Sequence, residues 1–537
     1  MCASEMCEHE AENVLLREEN RHLKEQLNDL HGDVEYLKER LAILSKMLFG
    51  KSSERSKRIV EDNDAQLLLD FGDDIKPSVP VEPEPETVTV PEHRRRKRDP
   101  RTLSEAVNAA EPIEVVENTL EGDLRKCPDC GRTMSDIGVE KRRHLVYIPM
   151  VIGVCEEHCH KYACQHCKTH SDRTPIVEAP MSSRTLPGSY ASAELIAHIA
   201  SQKYVMASPL YRLEKEFARH GFPLSRQTMS NWLIQATAKW LEPIAKLLRK
   251  KIKTCDILFG DETPWRVLRK ETGEPNQGKD YIWLLRTGDD SKQQIVIYEY
   301  CPNRSSSNPK RLLEGFKGYL HTDGYSGYHN LDSKITVVGC WAHARRKFND
   351  ALMLVPEDKR PESTAAQALA YCNKLFALER KWKDLTPEQR YERRQSEAKP
   401  ILDEFREWIF SQNAAPKTHL GKALKYAENQ WEYLVRYIDD GRLEISNNRA
   451  ERSIKPLVID RKNFLFSNTA GGAECSAIMM TLIETAIENG LDPYKYLAWV
   501  FKTAPDISYL KNWEERLLPW NAPEQCHRRA IIDQNRR

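Results

Sequence analysis

The 537-residue sequence predicts a multidomain α/β protein on three observations. A leucine heptad opens the chain, two CxxC pairs follow it, and short apolar strands ending in aspartates then give way to a long helical stretch. With 40% hydrophobic and 30% charged residues, the chain has material for several cores while staying polar overall. No run of about 18 apolar residues occurs. The N-terminus is polar from Cys2, Glu5, Glu8 and Glu10 onward, so neither a membrane span nor a signal peptide is expected, and the location expected is cytoplasmic. Fourteen cysteines in such a chain read as thiols or metal ligands rather than a disulfide framework.

The first element, over residues 11–50, is a leucine-zipper coiled coil. Leu16, Asn20, Leu23, Leu27, Leu30, Val34, Leu37, Leu41, Leu44 and Leu48 alternate in steps of four and three. Asn20 falls at an a position, where a buried amide fixes register, so self-association is expected. Gly32 interrupts the run and should weaken the helix by about 1 kcal/mol. Residues 51–110 read as a disordered linker, acidic and Pro-rich at first and ending in the basic block His93-Arg94-Arg95-Arg96-Lys97-Arg98.

Residues 111–175 read as a zinc ribbon. Cys127-Pro-Asp-Cys130 and Cys164-Gln-His-Cys167 each turn two sulfurs toward one point, and together they make a closed tetrahedral site for one structural Zn2+. Val146–Val154 between them reads as strand, and Cys155, His158, Cys159 and His160 are rival ligands. A helical region follows over 185–253. Tyr211–His220 and Ser225–Ala236, joined through Gly221, have the form of a helix-turn-helix with Arg226, Gln227, Ser230 and Asn231 on its reading face. Net charge is only +1, yet Leu210–Lys253 carries ten Lys/Arg against three Glu, a local footprint for a polyanion.

Strands begin at Asp256. Asp256–Gly260, Tyr281–Leu285 and Ile295–Tyr298 form a meander, followed by a helix at 309–315 and strands at Tyr319–Thr322 and Ile335–Gly339. That order opens an RNase H-like fold, expected here over 254–350. Asp261 closes the first strand and Asp323 the fourth, which are neighbours in that topology. Two carboxylates held together repel each other unless cations lie between them. A third would complete a site for two divalent ions and in-line displacement at phosphorus. Glu451, early in a helix opened by Ser446 or Asn447, is the best third acid, with Glu262 and Glu444 as rivals. Arg452, Lys455, Arg461 and Lys462 crowd after it, where phosphate would need binding. The 127 residues between Asp323 and Glu451 exceed a minimal fold, so 351–440 reads as an all-helical insertion with Trp382, Trp408 and Trp431 for a core. Residues 441–490 should hold the last catalytic helix, and 491–537 a C-terminal helical tail.

In this order the motifs resemble the transposases of the insertion-sequence-sixty-six family of bacterial mobile elements. The resemblance runs through Leu48-Phe-Gly-Lys-Ser-Ser-Glu54, the double CxxC, Pro209-Leu-Tyr-Arg212, Asp261-Glu-Thr263 and Asp323-Gly-Tyr325. It continues through Cys340-Trp-Ala-His-Ala-Arg-Arg346, Asn448-Arg-Ala-Glu451, Arg461-Lys-Asn-Phe-Leu-Phe466, Glu484–Gly490, Asp492-Pro-Tyr494 and Leu517-Leu-Pro-Trp520. It implies a DDE transposase, a DNA strand transferase using two Mg2+ (or Mn2+) ions on Asp261, Asp323 and Glu451. It further implies binding to terminal inverted repeats and to target DNA, small accessory proteins of the same element, and a DNA-contacting or supporting role for His343. Two other readings use the same modules. A zinc-finger DNA-binding regulator would leave the strand-end acids to chance, and a structure-specific RNase H-like nuclease would leave the N-terminal modules without a purpose.

Overall fold

The computed structural model describes residues 3–49, 152–163, 176–178, 182–270 and 272–528. The chain divides into two compact units, one of Met1–Phe71 with Ser183–Cys526, the other of Gly72–Ser182 with His527–Arg537. In the second unit, β1 (Lys161–Ala163) pairs antiparallel with β2 (Ile176–Glu178), and Ser182 donates from its amide and hydroxyl to the Glu157 carboxylate. Ile152–Val154 carry no strand, contrary to the expected Val146–Val154 run, whose other residues lie outside the described ones.

The first unit begins with α1 (Ala3–Phe49), one continuous helix of 47 residues. Its Leu23, Leu27, Leu30, Leu37 and Leu41 are exposed. The opposite side holds Ile43, which is buried, and Glu39, whose carboxylate accepts the backbone N–H of His419 at 2.9 and 3.1 Å. Asn20 turns its amide back to the Leu16 carbonyl at 3.0 Å.

Four helices then form a layer: α2 (Ala193–Tyr204), α3 (Leu210–Arg219), α4 (Arg226–Ala236) and α5 (Glu242–Ile252). The expected start of α4 is present, with Ser225 Oγ accepting the Thr228 N–H at 3.1 Å. Met229 and Leu233 face the core at helical spacing, while Trp232 is half-buried.

The central sheet has five strands in the order β6-β5-β3-β7-β8. These are β3 (Ile257–Trp265), β5 (Asp280–Thr287), β6 (Val296–Cys301), β7 (Gly318–His321) and β8 (Ile335–Val338). β3, β5 and β6 are antiparallel, and β7 and β8 join parallel on the other side of β3. The first and fourth of these strands are therefore neighbours, as the sequence predicts. β3 does not end at Asp261, however; it continues through Pro264 to Trp265. Beyond Phe259 only β5 pairs with it, which leaves Pro264 without an obligation to donate on the free side. Short α6 (Ser307–Leu312) precedes β7, and a two-stranded parallel pair joins β4 (Val267–Arg269) to β9 (Ser467–Thr469).

After β8 the described chain is helical as far as Ile438: α7 (Trp341–Leu354), α8 (Thr364–Lys381), α9 (Pro387–Arg393), α10 (Lys399–Ser411) and α11 (His419–Val435). Thr386 opens α9 with a reciprocal capping box to Gln389. Trp382 and Trp431 are buried and Trp408 is half-buried. The segment expected to end in one catalytic helix holds two, α12 (Asn448–Phe464) against β3 and α13 (Ala470–Glu488) against β6. Arg286 of β5 locks both in place, donating to Ser453 Oγ and to both Glu488 oxygens at 3.2 and 3.0 Å. α14 (Pro493–Ile507) packs on α2, and Leu517 and Leu518 are buried, so the tail closes on its own unit. Among the described residues no helix is long and apolar enough to cross a membrane.

Candidate active site

Asp261 sits mid-strand on β3 and is 3% exposed. Its Oδ1 accepts the neighbouring Glu262 N–H at 2.8 Å. Burial holds its carboxyl well above the usual carboxylate range, and the charges that push it further are Glu262, Asp323 and Glu451. Acids from β3, from the turn after β7 and from the first turn of α12 therefore act on one another.

Asp323 stands two residues beyond β7. Its Oδ1 accepts the Tyr325 N–H at 2.9 Å, and its main-chain carbonyl accepts the Tyr426 hydroxyl of α11 at 2.7 Å. Gly324 completes the turn at φ +93°, where a Cβ would lie 2.9 Å from that hydroxyl and 3.0 Å from Gln430 Oε1. The helical insertion thus clamps the loop that carries the second acid.

Glu451 lies in the first turn of α12, where the N-terminal partial charge favours a carboxylate. Neither expected cap bonds the helix in the usual way: Asn447 holds the N-cap position, but its Nδ2 donates to the Gly260 carbonyl at 2.8 Å. That bond ties the start of α12 to the residue before Asp261. Glu451 Oε2 accepts from Arg346 at 3.3 Å. Its Oε1 is buried without a hydrogen bond, as is His343 Nδ1, 3.5 Å away. Cys340, His343 and Glu451 bring one ligand atom each within 4.8 Å of one another. Burial pushes the Cys340 thiol up to about 12, with Glu451 adding to the effect, and burial lowers His343.

The two rival acids are engaged elsewhere. Glu262, fully buried, accepts from Arg304 at 2.9 and 2.5 Å and from the Tyr328 hydroxyl at 2.8 Å. Burial and then Asp323 push it up to about 7 against the pull of Arg304. Glu444 accepts from Arg449 at 2.8 Å, and that arginine also pairs with Asp289.

Of the residues expected on DNA, Arg226, Gln227 and Asn231 are exposed on α4 and Ser230 is half-buried, with Gln227 Nε2 donating to Asn231 at 3.1 Å. α2 packs on both α4 and α12, linking this layer to the helix that carries Glu451. Arg452 and Lys462 are exposed on α12 and Lys455 is half-buried. Arg461 is turned inward, donating to the Pro264 carbonyl at 2.6 Å and Thr263 Oγ1 at 3.1 Å, so much of its donor capacity is spent on β3. Arg346 and Tyr426 were not anticipated. Arg346 closes the Cys340–Arg346 motif, one turn after His343, without any role assigned to it. Cys127, Cys130, Cys164 and Cys167 lie outside the described residues, and Cys155, His158, Cys159 and His160 do not gather into a three-ligand group among the described ones.

Residues 188–475 match the family described as Transposase IS66 family. Residues 481–520 match the IS66 C-terminal element, and 125–168 the zinc-finger binding domain of transposase IS66. Residues 36–106 match a domain described as Transposase C of IS166 homeodomain. Among curated proteins, the chain is 29% identical over 512 residues to the uncharacterized protein y4jD of Sinorhizobium fredii, covering 92% of this chain and 94% of that one. It is 29% identical over 445 residues to the uncharacterized protein y4qI of the same organism, covering 79% of this chain and 78% of that one. With more than half of its length inside the first of these matches, the chain belongs to the transposase IS66 family.

Proposed function

We propose that this transposase binds the terminal inverted repeats of its element and cuts and joins DNA at an acidic triad of Asp261, Asp323 and Glu451. One observation carries the reading. The three side chains that weigh most on buried Asp261 are all carboxylates, an arrangement that costs free energy unless divalent cations occupy it. Carboxylate oxygens are the donors magnesium takes, and two such ions, if bound here, would supply activation of the attacking oxygen and stabilisation of the leaving one. Asp261, Asp323 and Glu451 would hold them, with the orphaned Glu451 Oε1 free to ligate.

The chain's own residues prepare the rest. Tyr426 and the Tyr325 N–H fix the Asp323 turn, Asn447 fixes Glu451 relative to β3, and Arg346 orients the Glu451 carboxylate. Arg452 and Lys455, on the same helix, are placed to meet phosphate. The 3-2-1-4-5 strand order with a helix against the first strand supports an RNase H-like core, and α7 to α11 supply the insertion. The α3–α4 pair supports sequence reading by Arg226, Gln227 and Asn231, and Cys127, Cys130, Cys164 and Cys167 are the proposed ligands of a ribbon zinc. The exposed leucine seam of α1, opposite its docked face, supports self-association as a coiled coil.

A strand-transfer assay on an oligonucleotide carrying the element's end tests the reading, with wild type set against Asp261→Asn, Asp323→Asn and Glu451→Gln. Loss of magnesium-dependent joining in all three with DNA binding retained is the expected result. Joining by Glu451→Gln would remove the third acid, and binding without joining by wild type would leave a regulator.

A further inference from the structure

Beside the carboxylate triad lies a second group of donors that magnesium does not want. Cys340 occupies the N-cap of α7, His343 follows on the first turn of the same helix, and Glu451 faces them from the first turn of α12. The first turns of two helices therefore meet at one point. The Cys340 sulfur already accepts the Asn447 N–H at 3.1 Å.

We propose that Cys340, His343 and Glu451 form a site for zinc, and that zinc bound there withdraws Glu451 from the magnesium pair and arrests DNA joining. The arrest rests on the role proposed above for Glu451; the site itself rests only on the donors and their spacing.

The spacing fits the ion. Zinc–nitrogen and zinc–oxygen bonds of about 2.0–2.1 Å and zinc–sulfur bonds of about 2.3 Å put tetrahedral ligands roughly 3.3–3.7 Å apart. His343 Nδ1 and Glu451 Oε1 stand 3.5 Å apart already, and all three donors lie within 4.8 Å, so at most about 1 Å of side-chain movement closes the set. These two facing atoms are buried without hydrogen bonds, a cost that a shared cation removes. Zinc takes sulfur as thiolate, so the Cys340 proton leaves to solvent on binding. Arg346 engages the other Glu451 oxygen, so one oxygen remains for the ion. Sulfur and imidazole donors select zinc and discriminate against magnesium, which keeps to oxygen and water. The fourth position is left for water.

The test uses the full chain and measures metal before activity. Wild type, Cys340→Ser and His343→Ala are dialysed with zinc, and bound zinc is counted by elemental mass spectrometry. Wild type should hold one equivalent more than either variant, whatever the ribbon contributes to all three. Equal zinc in all three overturns the site. Because Cys340 is buried, loss of fold in Cys340→Ser is monitored by thermal melting, and the half-buried His343→Ala carries the comparison if that variant unfolds. Cobalt added to zinc-filled ribbon should give a thiolate-to-cobalt absorption band in wild type that Cys340→Ser lacks; the same band in both overturns the assignment of sulfur. In joining assays at saturating magnesium, zinc should arrest wild type at concentrations at least tenfold below those that arrest Cys340→Ser. Equal sensitivity overturns the arrest. If wild type holds the extra zinc but never joins DNA, the catalytic reading falls and the zinc site stands.

Discussion

Around the helical layers, buried arginines hold acids that reach toward the surface. Arg394, fully buried, grips both oxygens of Glu379 at 2.8 and 2.7 Å and donates to the carbonyls of Tyr437, Asp440 and Leu443 at 2.7–2.8 Å. Arg286 does the same for Glu488, and Arg449 donates to one oxygen of Glu444 at 2.8 Å. On β3 the treatment is opposite. Asp261 is as deeply buried, yet the charged groups closest to it electrostatically are three more acids. Glu262, one residue on, belongs to the first class, since Arg304 and Tyr328 take both its oxygens. Alternation along the strand sends neighbouring side chains to opposite faces. Among the described residues Glu262 has a paired cation and Asp261 has none.

Each side of this contrast can be broken separately. The largest effect belongs to Asp261→Asn, which should lower magnesium-dependent joining by on the order of 10³-fold or more. In metal-free buffer the same change should raise the melting temperature, because it removes a buried charge crowded by like charges. A lower melting temperature would mean that Asp261 is structural after all. Arg394→Met is the mirror case. It strands the Glu379 carboxylate and three carbonyls, and should cost about 3–5 kcal/mol in denaturant unfolding. A loss below about 1 kcal/mol would show that the insertion does not depend on its arginine. Glu444→Gln tests the rival third acid. Its pair with Arg449 is part-buried, so the change should cost about 1 kcal/mol, and joining should stay within a few-fold of wild type. Abolished joining with the fold intact would move the third ligand from Glu451 to Glu444.

Sequence periodicity revealed the parts of this arrangement that are local. The acids after apolar runs and the start of a helix at Ser225 depend on residues a few positions apart, and both are present. What the sequence could not reveal depends on distant partners. Nothing near Glu262 announces Arg304 or Tyr328, and nothing near Asp323 announces Tyr426, 103 residues away. The end of β3 was placed too early, at Asp261, although the strand runs on through Pro264. That proline is tolerated because β7 pairs only with Ile257–Phe259, which frees that side of the strand. Asn447 read as a capping side chain because Asn commonly caps, but the nearby Gly260 carbonyl claims its amide instead. Gly32 read as a defect in the zipper. It lies on the docked side of α1, where a Cβ would meet Ala415 at 3.6 Å, so at this position the helix faces the insertion rather than a zipper partner.

The smallest effect is the one that separates the two classes of acid most directly, the dependence of stability on pH without metal. Glu262 is raised from its ordinary value of 4.5 to about 7, and Asp261 is raised well above 3.8. A raised carboxyl binds protons more tightly folded than unfolded, so stability falls as pH rises through the interval between the two values. For Glu262 that interval runs from 4.5 to about 7; for Asp261 the fall begins near 3.8. Asp460, raised to about 8 by burial, adds to the slope from the far end of α12. The metal-free protein should therefore melt lower at pH 8 than at pH 5. Magnesium should raise the melting temperature more at pH 8, where it meets carboxylates, than at pH 5, where it competes with protons. Asp261→Asn should flatten the metal-free slope and remove most of the magnesium effect, while Glu444→Gln should alter neither. An unchanged slope in Asp261→Asn would place the titrating burden on Glu262 and Asp460, and the distinction between paired and unpaired acids on β3 would fail.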